Sequence, residues 1–336
     1  MARATRAGEN PSLRDVLAPE WWIALLQASF GANSRLATVY LLSAVAMGYV
    51  VFRAGGRRGE GFLAFLLPRR IYLHPSHLTD LKLFVAGRVL TVFGAFNFSA
   101  LAALSAAAAM ALMARATGGG ARAGEGTWLE FLCITVIAAI VADFCTYWVH
   151  RLHHETPSLW PFHKVHHSAE VLTPITAYRK HPVYDVVSAV AKAVPIGALQ
   201  GLVLFLVVGK IEYVTLGGAN FVYVLFNVLG SNLRHSHIWL DFGPVLDRVF
   251  VSPAQHQIHH SRAPAHVNKN YGEIFALWDW MFGSLYVPKG RETLDIGLAD
   301  ATGRALPQPH PNFTQAIIEP FRESWAALRP RERVRA

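Results

Sequence analysis

The chain has 336 residues, of which 53% are hydrophobic and only 16% are charged. Soluble proteins carry about 25% charged residues, so this composition favours an integral membrane protein. The formal charge of +9 fits basic loops at an anionic lipid surface. The basic residues form no sustained stripe of the kind that binds nucleic acid, so no nucleic-acid partner is expected.

Residues 1–35 are predicted to form a polar segment that ends in an interfacial helix. The run from Trp21 to Phe30 begins with two tryptophans and is too short to cross a bilayer, which needs about 20 apolar residues. The preceding polar residues lack the short apolar core of a secretory signal. The first span is therefore expected to be an uncleaved anchor.

Long uncharged runs predict about four to five membrane spans in an all-α bundle. Residues 36–127 are expected to hold the N-terminal spans and a basic loop, 128–290 a catalytic domain with a membrane hairpin, and 291–336 a basic tail. The predicted spans are Leu36–Phe52, Val89–Met113, Phe131–Val149 and the two arms of the hairpin, Ala193–Gly209 and Tyr213–Leu233. Counting crossings places the basic loop and a histidine-rich helical cap on the same side, which the positive-inside rule makes cytoplasmic.

The third predicted span continues into a helix with one polar face. Asp143, Tyr147, His150 and His154 lie at offsets of 0, 4, 7 and 11, so their side chains project within roughly 60° of one another. His153 lies off this face, and we expect it beside a ligand or facing solvent.

Two further histidine motifs have the form H-x-x-H-H. Offsets of 0, 3 and 4 place three imidazoles on one helical face, where they can ligate or bridge metals. The motifs comprise His163, His166 and His167, and His256, His259 and His260. With His150 and His154 they give eight histidines, more than one tetrahedral zinc requires. Two metal ions are the simpler interpretation, although imidazole suits iron, copper, nickel and zinc alike.

Three stretches resemble the fatty acid hydroxylase and sterol desaturase superfamily. They read D-x-x-x-Y-W-x-H-R-x-x-H-E, then L-W-x-F-H-x-V-H-H-S, and finally P-x-x-H-x-x-H-H followed by K-N-Y-G and W-D-x-x-F-G, within about residues 140–287. The resemblance implies a membrane-bound oxidase with two non-haem iron ions, which zinc can replace in purified protein. Such an enzyme uses O₂ to hydroxylate, or less often desaturate, a C–H bond of a membrane lipid. The chain has no flavin, nicotinamide or haem-binding motif, so a separate donor, cytochrome b5-like or ferredoxin-type, is implied.

Site residues follow from the matching positions. The implied metal ligands are His150, His154, His163, His166, His167, His235, His256, His259, His260 and His181. His181 has an alternative role as a helix-start residue before Pro182.

Five non-histidine positions complete the predicted site. Asp143 is expected to accept a proton from a ligand imidazole or from Tyr147, because a carboxylate near the membrane is costly unless it is paired. Glu155 is expected either beside the ligands or at the surface. Asn270 and Tyr271 are expected to order the last histidine motif.

Two other classes of protein fit the sequence less well than an oxidase. A zinc hydrolase would need H-E-x-x-H, but Glu155 is followed by Thr156, Pro157 and Ser158, with no second histidine. A non-enzymatic metal transporter or haem electron carrier would place histidines inside several spans, and the interiors of the apolar runs contain none.

Overall fold

The computed structural model describes residues 19–55, 61–119, 127–206, 215–216 and 219–329. These residues are predominantly helical, which confirms the predicted all-α class. The helices of the N-terminal half are α1 (Pro19–Phe30), α2 (Thr38–Ala54), α3 (Phe62–Leu66), α4 (Arg69–Tyr72), α5 (Pro75–Val92), α6 (Ser99–Thr117), α7 (Trp128–Glu155) and α8 (Trp160–His167).

The C-terminal half contains further helices, three short 3-10 turns and one minimal pair of strands. The elements in order are a 3-10 turn (Pro174–Tyr178), α9 (Pro182–Leu206), β1 (Thr215–Leu216), β2 (Ala219–Asn220), α10 (Phe221–Val228), a 3-10 turn (Ser231–His235), α11 (Gly243–Leu246), α12 (Pro253–His259), a 3-10 turn (Pro264–His266), α13 (Leu277–Met281) and α14 (Phe313–Leu328). The strands pair antiparallel, with Thr215 opposite Asn220.

Three of the described helices, α6, α7 and α9, are long and apolar enough to cross a membrane. Helix α2 is apolar but has only 17 residues. The span predicted over Val89–Met113 has different bounds in the structure, because α5 ends at Val92 and the candidate span α6 covers Ser99–Thr117. Gly94 adopts a positive φ of 76°, and the Asn97 side chain accepts a hydrogen bond from the Ser99 N–H. Hydropathy does not detect such a break, since it registers only how apolar the residues are.

Among the described residues, only the first arm of the predicted membrane hairpin is a long helix. Helix α9 covers 25 residues, but on the return arm the structure has only the eight-residue helix α10, where a span over Tyr213–Leu233 was expected. The Asn220 side chain accepts from the Val222 N–H and starts α10. Residues 207–214 and 217–218 of the expected hairpin lie outside the described ranges.

Close packing joins α6 to α9. A Cβ atom added at Gly197 would lie 2.2 Å from the carbonyl oxygen of Ala102, and one added at Gly201 would lie 2.1 Å from that of Ala106. Two glycines four residues apart lie on one helical face, so they let the two backbones touch. This pair anchors α9 against the N-terminal part of the bundle.

The histidine-bearing helix α8 lies between α5 and α14. Leu83, Val165 and Ala316 form a buried apolar cluster across the three helices, and the Lys164 ammonium lies 2.9 Å from the Glu323 carboxylate. The described part of the segment expected as a basic tail thus ends in a helix that covers the cap. Residues 330–336 lie outside the described part of the chain.

Candidate metal centre

Five histidines from three helices converge in a first group. His150 and His154 are one helical turn apart on α7, His163 and His167 are one turn apart on α8, and His259 comes from α12. One nitrogen from each lies within 4.8 Å of all the others. Ligand nitrogens bind a metal at about 2.1 Å, so two on opposite sides of an ion are about 4.2 Å apart. The spread therefore fits a single ion, and this set is called the five-histidine group below.

Four other histidines form a second group with the same spread of 4.8 Å. They are His166 of α8, His235 of the 3-10 turn after α10, and His256 and His260 of α12 and its C-terminus. The Nε2 atoms of His235 and His166 are 3.2 Å apart, and those of His256 and His235 are 3.1 Å apart. This set is called the four-histidine group.

The two groups share a wall. The rings of His167 and His260, one from each group, stack with centroids 4.7 Å apart, and those of His163 and His166, also one from each group, lie 5.3 Å apart. Each H-x-x-H-H motif is divided between the two groups. On a helix the residues at offsets 3 and 4 lie on opposite sides of the histidine at offset 0, so they face different groups. The geometry thus suits two ions held close together.

Hydrogen bonds orient two rings of the five-histidine group. The His150 Nδ1 donates to the Tyr271 carbonyl oxygen at 2.7 Å, and the His259 Nδ1 donates to the Lys269 carbonyl oxygen at 2.7 Å. The Nε2 atoms of both rings are buried and have no hydrogen-bond partner among the described residues. A fixed tautomer with a free, inward-facing Nε2 is the arrangement that a metal-binding histidine requires.

Burial favours the neutral form of the histidines of the two groups that lie outside the spans. Burial, together with the neighbouring histidines, lowers the pKa values of His163, His167 and His235 well below the usual range. Burial lowers the pKa of His259 to about 4. Neutral imidazole is the form that binds metal, so the side chains present fit a metal centre.

His181 is not brought into either group, contrary to its place among the expected ligands. Its Nε2 donates to the Ile317 carbonyl oxygen at 3.1 Å, and its Nδ1 accepts from the Val183 N–H at 3.1 Å. Both ring nitrogens are thus engaged, and the ring packs on Phe162 and Phe321. The position matches the alternative role of His181 as a residue that starts α9.

His153 is fully buried, and its Nδ1 donates to the Val149 carbonyl oxygen at 2.7 Å. Its ring packs on Tyr184, which also stacks on His163 with centroids 4.8 Å apart. His153 therefore supports a ring that contacts a ligand and does not face solvent. Tyr184 was not among the predicted site residues.

Asp143 does not contact an imidazole or Tyr147, so that expectation is wrong. Its carboxylate accepts hydrogen bonds from the Ile274 N–H at 2.8 Å, the Phe275 N–H at 3.1 Å and the Trp278 indole at 2.9 Å. The pairing that a buried carboxylate needs is supplied by a loop distant in sequence. Asp143 thus holds the loop that follows Tyr271, whose carbonyl orients His150.

Tyr147 and Glu155 also lie away from the imidazoles. The Tyr147 hydroxyl lies 3.1 Å from the Ser284 hydroxyl and accepts a hydrogen bond from Arg151 at 2.9 Å. Glu155 is exposed and pairs with Arg151 at 3.0 Å, which agrees with the surface alternative. Both residues contact side chains around the end of α7 and do not face either histidine group.

The loop after α12 depends on Asn270 and on a residue without a predicted role, Asp279. Asn270 adopts a positive φ of 56°; its amide donates to the Gln255 carbonyl oxygen and accepts from the Tyr286 N–H. The buried Asp279 carboxylate accepts from the Tyr271 and Gly272 N–H groups, both at 2.8 Å. The W-D-x-x-F-G motif contained the signal for Asp279, but spacing alone does not reveal which backbone it binds.

A nearly apolar cavity of about 730 Å³ lies beside the four-histidine group. Pockets for small ligands span roughly 300–1,000 Å³. Its walls come from α2, α10, α11 and the start of α12, and include Met47, Val50, Leu225, Phe226, Leu246 and Phe250. Arg234, the residue before His235, also contributes to the wall.

The sequence profile of the fatty acid hydroxylase family matches residues 135–284. The chain is 29% identical to an ornithine lipid hydroxylase of Rhizobium tropici, over 55% of this chain and 50% of that protein. It is 32% identical to an alkylglycerol monooxygenase of Danio rerio, over 52% of this chain and 33% of that protein. It is 30% identical to a delta(7)-sterol 5(6)-desaturase of Gibberella zeae, over 49% of this chain and 41% of that protein.

The chain thus spans half or less of the length of each of these relatives. No solved structure matches it.

Proposed function

We propose that the chain is a membrane-bound lipid oxidase with two iron ions, because residues 135–284 match the fatty acid hydroxylase family and the chain is similar to lipid hydroxylases and a sterol desaturase. The nine histidines in two adjoining groups, eight of them buried, are the observation that carries this proposal. The iron ions would activate O₂ for insertion of one oxygen atom into a lipid C–H bond. Zinc has no redox chemistry, so oxidation by relatives described as hydroxylases, a monooxygenase and a desaturase favours iron.

The protein's own residues hold and shield the centre. His150, His154, His163, His167 and His259 would hold one ion, and His166, His235, His256 and His260 the other. The Tyr271 and Lys269 carbonyl oxygens keep two of these rings in the orientation that ligation requires. Burial of the rings excludes water, which limits the loss of reactive oxygen species to solvent.

The apolar cavity beside the four-histidine group suits the hydrocarbon part of a membrane lipid. Val50 and Leu225 line it and are themselves exposed on the apolar helices α2 and α10, so a lipid would enter laterally from the bilayer. We expect the histidine cap on the cytoplasmic side, where the basic loop would lie. Electrons would come from a separate cytochrome b5-like or ferredoxin-type carrier.

The proposal is tested on the purified full chain in detergent after loading with Fe²⁺. We expect about two iron ions per chain and O₂ consumption that depends on reductant and on added lipid extract. Product lipids should gain 16 mass units if the reaction is hydroxylation, or lose 2 if it is desaturation.

Two variants supply the internal control. His150→Ala should lower iron content and abolish O₂ consumption while leaving membrane insertion intact. His74→Ala should behave as the wild type, because His74 only caps α5 through its Nδ1. Full activity in His150→Ala, or protein that binds neither iron nor zinc at about two per chain, would contradict the proposal.

A further inference from the structure

A second cavity, of about 590 Å³, lies between α7, α9 and α10 and is partly polar. On α7 it is lined by Ala138, Ala142 and Thr146, and on α9 by Lys192, Ile196 and Gln200. Each set is spaced by four residues, so each helix presents one continuous face to the cavity. It is called the Lys192 cavity below.

Lys192 lies near the middle of the membrane-spanning helix α9. It makes no hydrogen bond or ion pair with any residue in the part of the chain that the structure describes, and the same holds for the Gln200 side chain. A cation at this depth is costly and normally has a partner. A bound partner of Lys192 would lie in the cavity that this side chain lines.

The anionic side chains around the cavity are already bonded. Glu273 forms an ion pair with Arg35, and Asp143 accepts three hydrogen bonds from the loop of Ile274 to Trp278. Burial raises the pKa of Glu273, but Arg35 and the nearby lysines outweigh it and lower that pKa to about 2. Glu273 and Asp185 attract the Lys192 ammonium, but among the described residues neither forms a hydrogen bond or an ion pair with it.

One end of the cavity also lies close to the five-histidine group. Thr146 lines it and lies four residues before His150 on α7, which is about 6 Å along the helix axis. On α9, Tyr184 stacks on His163 and lies eight residues before Lys192, or about 12 Å along the axis. A group held at Lys192 therefore lies about two helical turns from the five-histidine group.

We propose that the Lys192 cavity binds an anionic oxygen group of a lipid, a carboxylate or a phosphate, with the Lys192 ammonium as its counter-ion and the Gln200 amide as a hydrogen-bond donor. This inference rests on the proposed function in one respect, that the bound lipid is the substrate. The anchored group then sets which carbon of the chain reaches the histidines. The oxidised carbon should lie several bonds from the anionic group, since about 12 Å separates the two sites.

The test measures binding without oxygen or reductant, on metal-loaded full-length protein in an uncharged detergent. A photoreactive hexadecanoate is displaced by unlabelled hexadecanoate, hexadecyl phosphate or hexadecanol, and crosslinked peptides are identified by mass spectrometry. We expect both anions to displace the probe at concentrations at least about tenfold lower than the alcohol. Crosslinks should map to α7, α9 and α10. Preference for one anion over the other identifies the group.

Variants assign the preference to one side chain. Lys192→Met should weaken both anions about tenfold and leave hexadecanol unchanged, while Lys192→Arg should retain the preference. Lys82→Met, at an exposed lysine on α5, should behave as the wild type.

Equal binding of the three amphiphiles by the wild type, or an undiminished preference in Lys192→Met, would overturn the inference. So would a Lys192→Met variant that lowers turnover without changing binding, since that would assign Lys192 to the reaction. Failure of the proposed function gives a different result. The protein would then lack iron or O₂ consumption, whatever its preference among the amphiphiles.

Discussion

Replacing Arg179 with methionine should destabilise the histidine cap without touching a metal ligand. Arg179 and Asp80 are both 0% exposed and pair at 2.8 Å. The Arg179 Nε also donates at 2.7 Å to the carbonyl oxygen of Val165, which lies between the ligand histidines of α8. One side chain therefore joins α5, α8 and the turn before α9.

The magnitude follows from the complete burial of the pair. Removing one partner leaves the Asp80 carboxylate buried with only the Thr176 hydroxyl, which donates to it at 2.6 Å. Breaking a buried pair in this way costs about 3–5 kcal/mol. An unfolding entropy of about 2.1 cal/mol/K per residue gives about 1.4 °C per kcal/mol for a chain of this length, so the midpoint of thermal unfolding should fall by about 4–7 °C. Iron content should fall as well, because α8 loses its fixed position.

The assay is thermal unfolding of the iron-loaded protein in detergent, followed by tryptophan fluorescence. Adding Asp80→Leu to Arg179→Met should recover much of the loss, since no unpaired buried charge remains. Arg322→Met is the matched control, because Arg322 is 71% exposed in its pair with Glu319 and such pairs contribute about 0–1 kcal/mol. If Arg179→Met unfolds at the same temperature as Arg322→Met, or if Asp80→Leu adds to the damage, the reasoning is refuted.

Three further predictions concern the centre and the bundle. His235→Ala should reduce iron from about two to about one per chain in metal analysis, because it removes one of four ligands, and two retained ions would contradict the grouping. Gly201→Leu should lower the free energy of unfolding by about 1–3 kcal/mol or more, since its Cβ would meet the Ala106 carbonyl oxygen. The midpoint of thermal unfolding should therefore fall, whereas Gly87→Ala, where a Cβ meets nothing within 4 Å, should change the midpoint far less. Asp143→Asn should lower iron content in metal analysis, because an amide NH₂ would oppose the loop N–H donors, and unchanged loading would argue against its role.

The all-α class and the continuous helix from the third span into the metal centre were predictable from the sequence. An uncharged run followed by polar residues at offsets of 4, 7 and 11 depends only on local helix geometry, and α7 runs unbroken from Trp128 to Glu155. The superfamily was also recognised correctly, since its motifs are local in sequence. The bounds of the span predicted over Val89–Met113 were not, because Gly94 interrupts a run that hydropathy treats as uniform.

Partners distant in sequence could not be predicted in the same way. Asp143 bonds to residues more than 130 positions away, and nothing in its own neighbourhood identifies them. His181 stands beside Pro182 in a motif shared with the superfamily, but the carbonyl of Ile317 in α14 occupies its Nε2. Helix α14, which covers the cap, was not predicted, because the net charge of its segment indicated only a basic tail.

The sequence by itself determined which histidines share a helical face, because a spacing of three or four residues places side chains together in any α-helix. Only the tertiary structure decided how nine of them divide between two groups. His163 and His167 face the first group, whereas His166, between them, faces His235 and the ends of α12. The physical reason is that a helical face is wide enough to border two sites, and the surrounding helices determine which ring meets which partner.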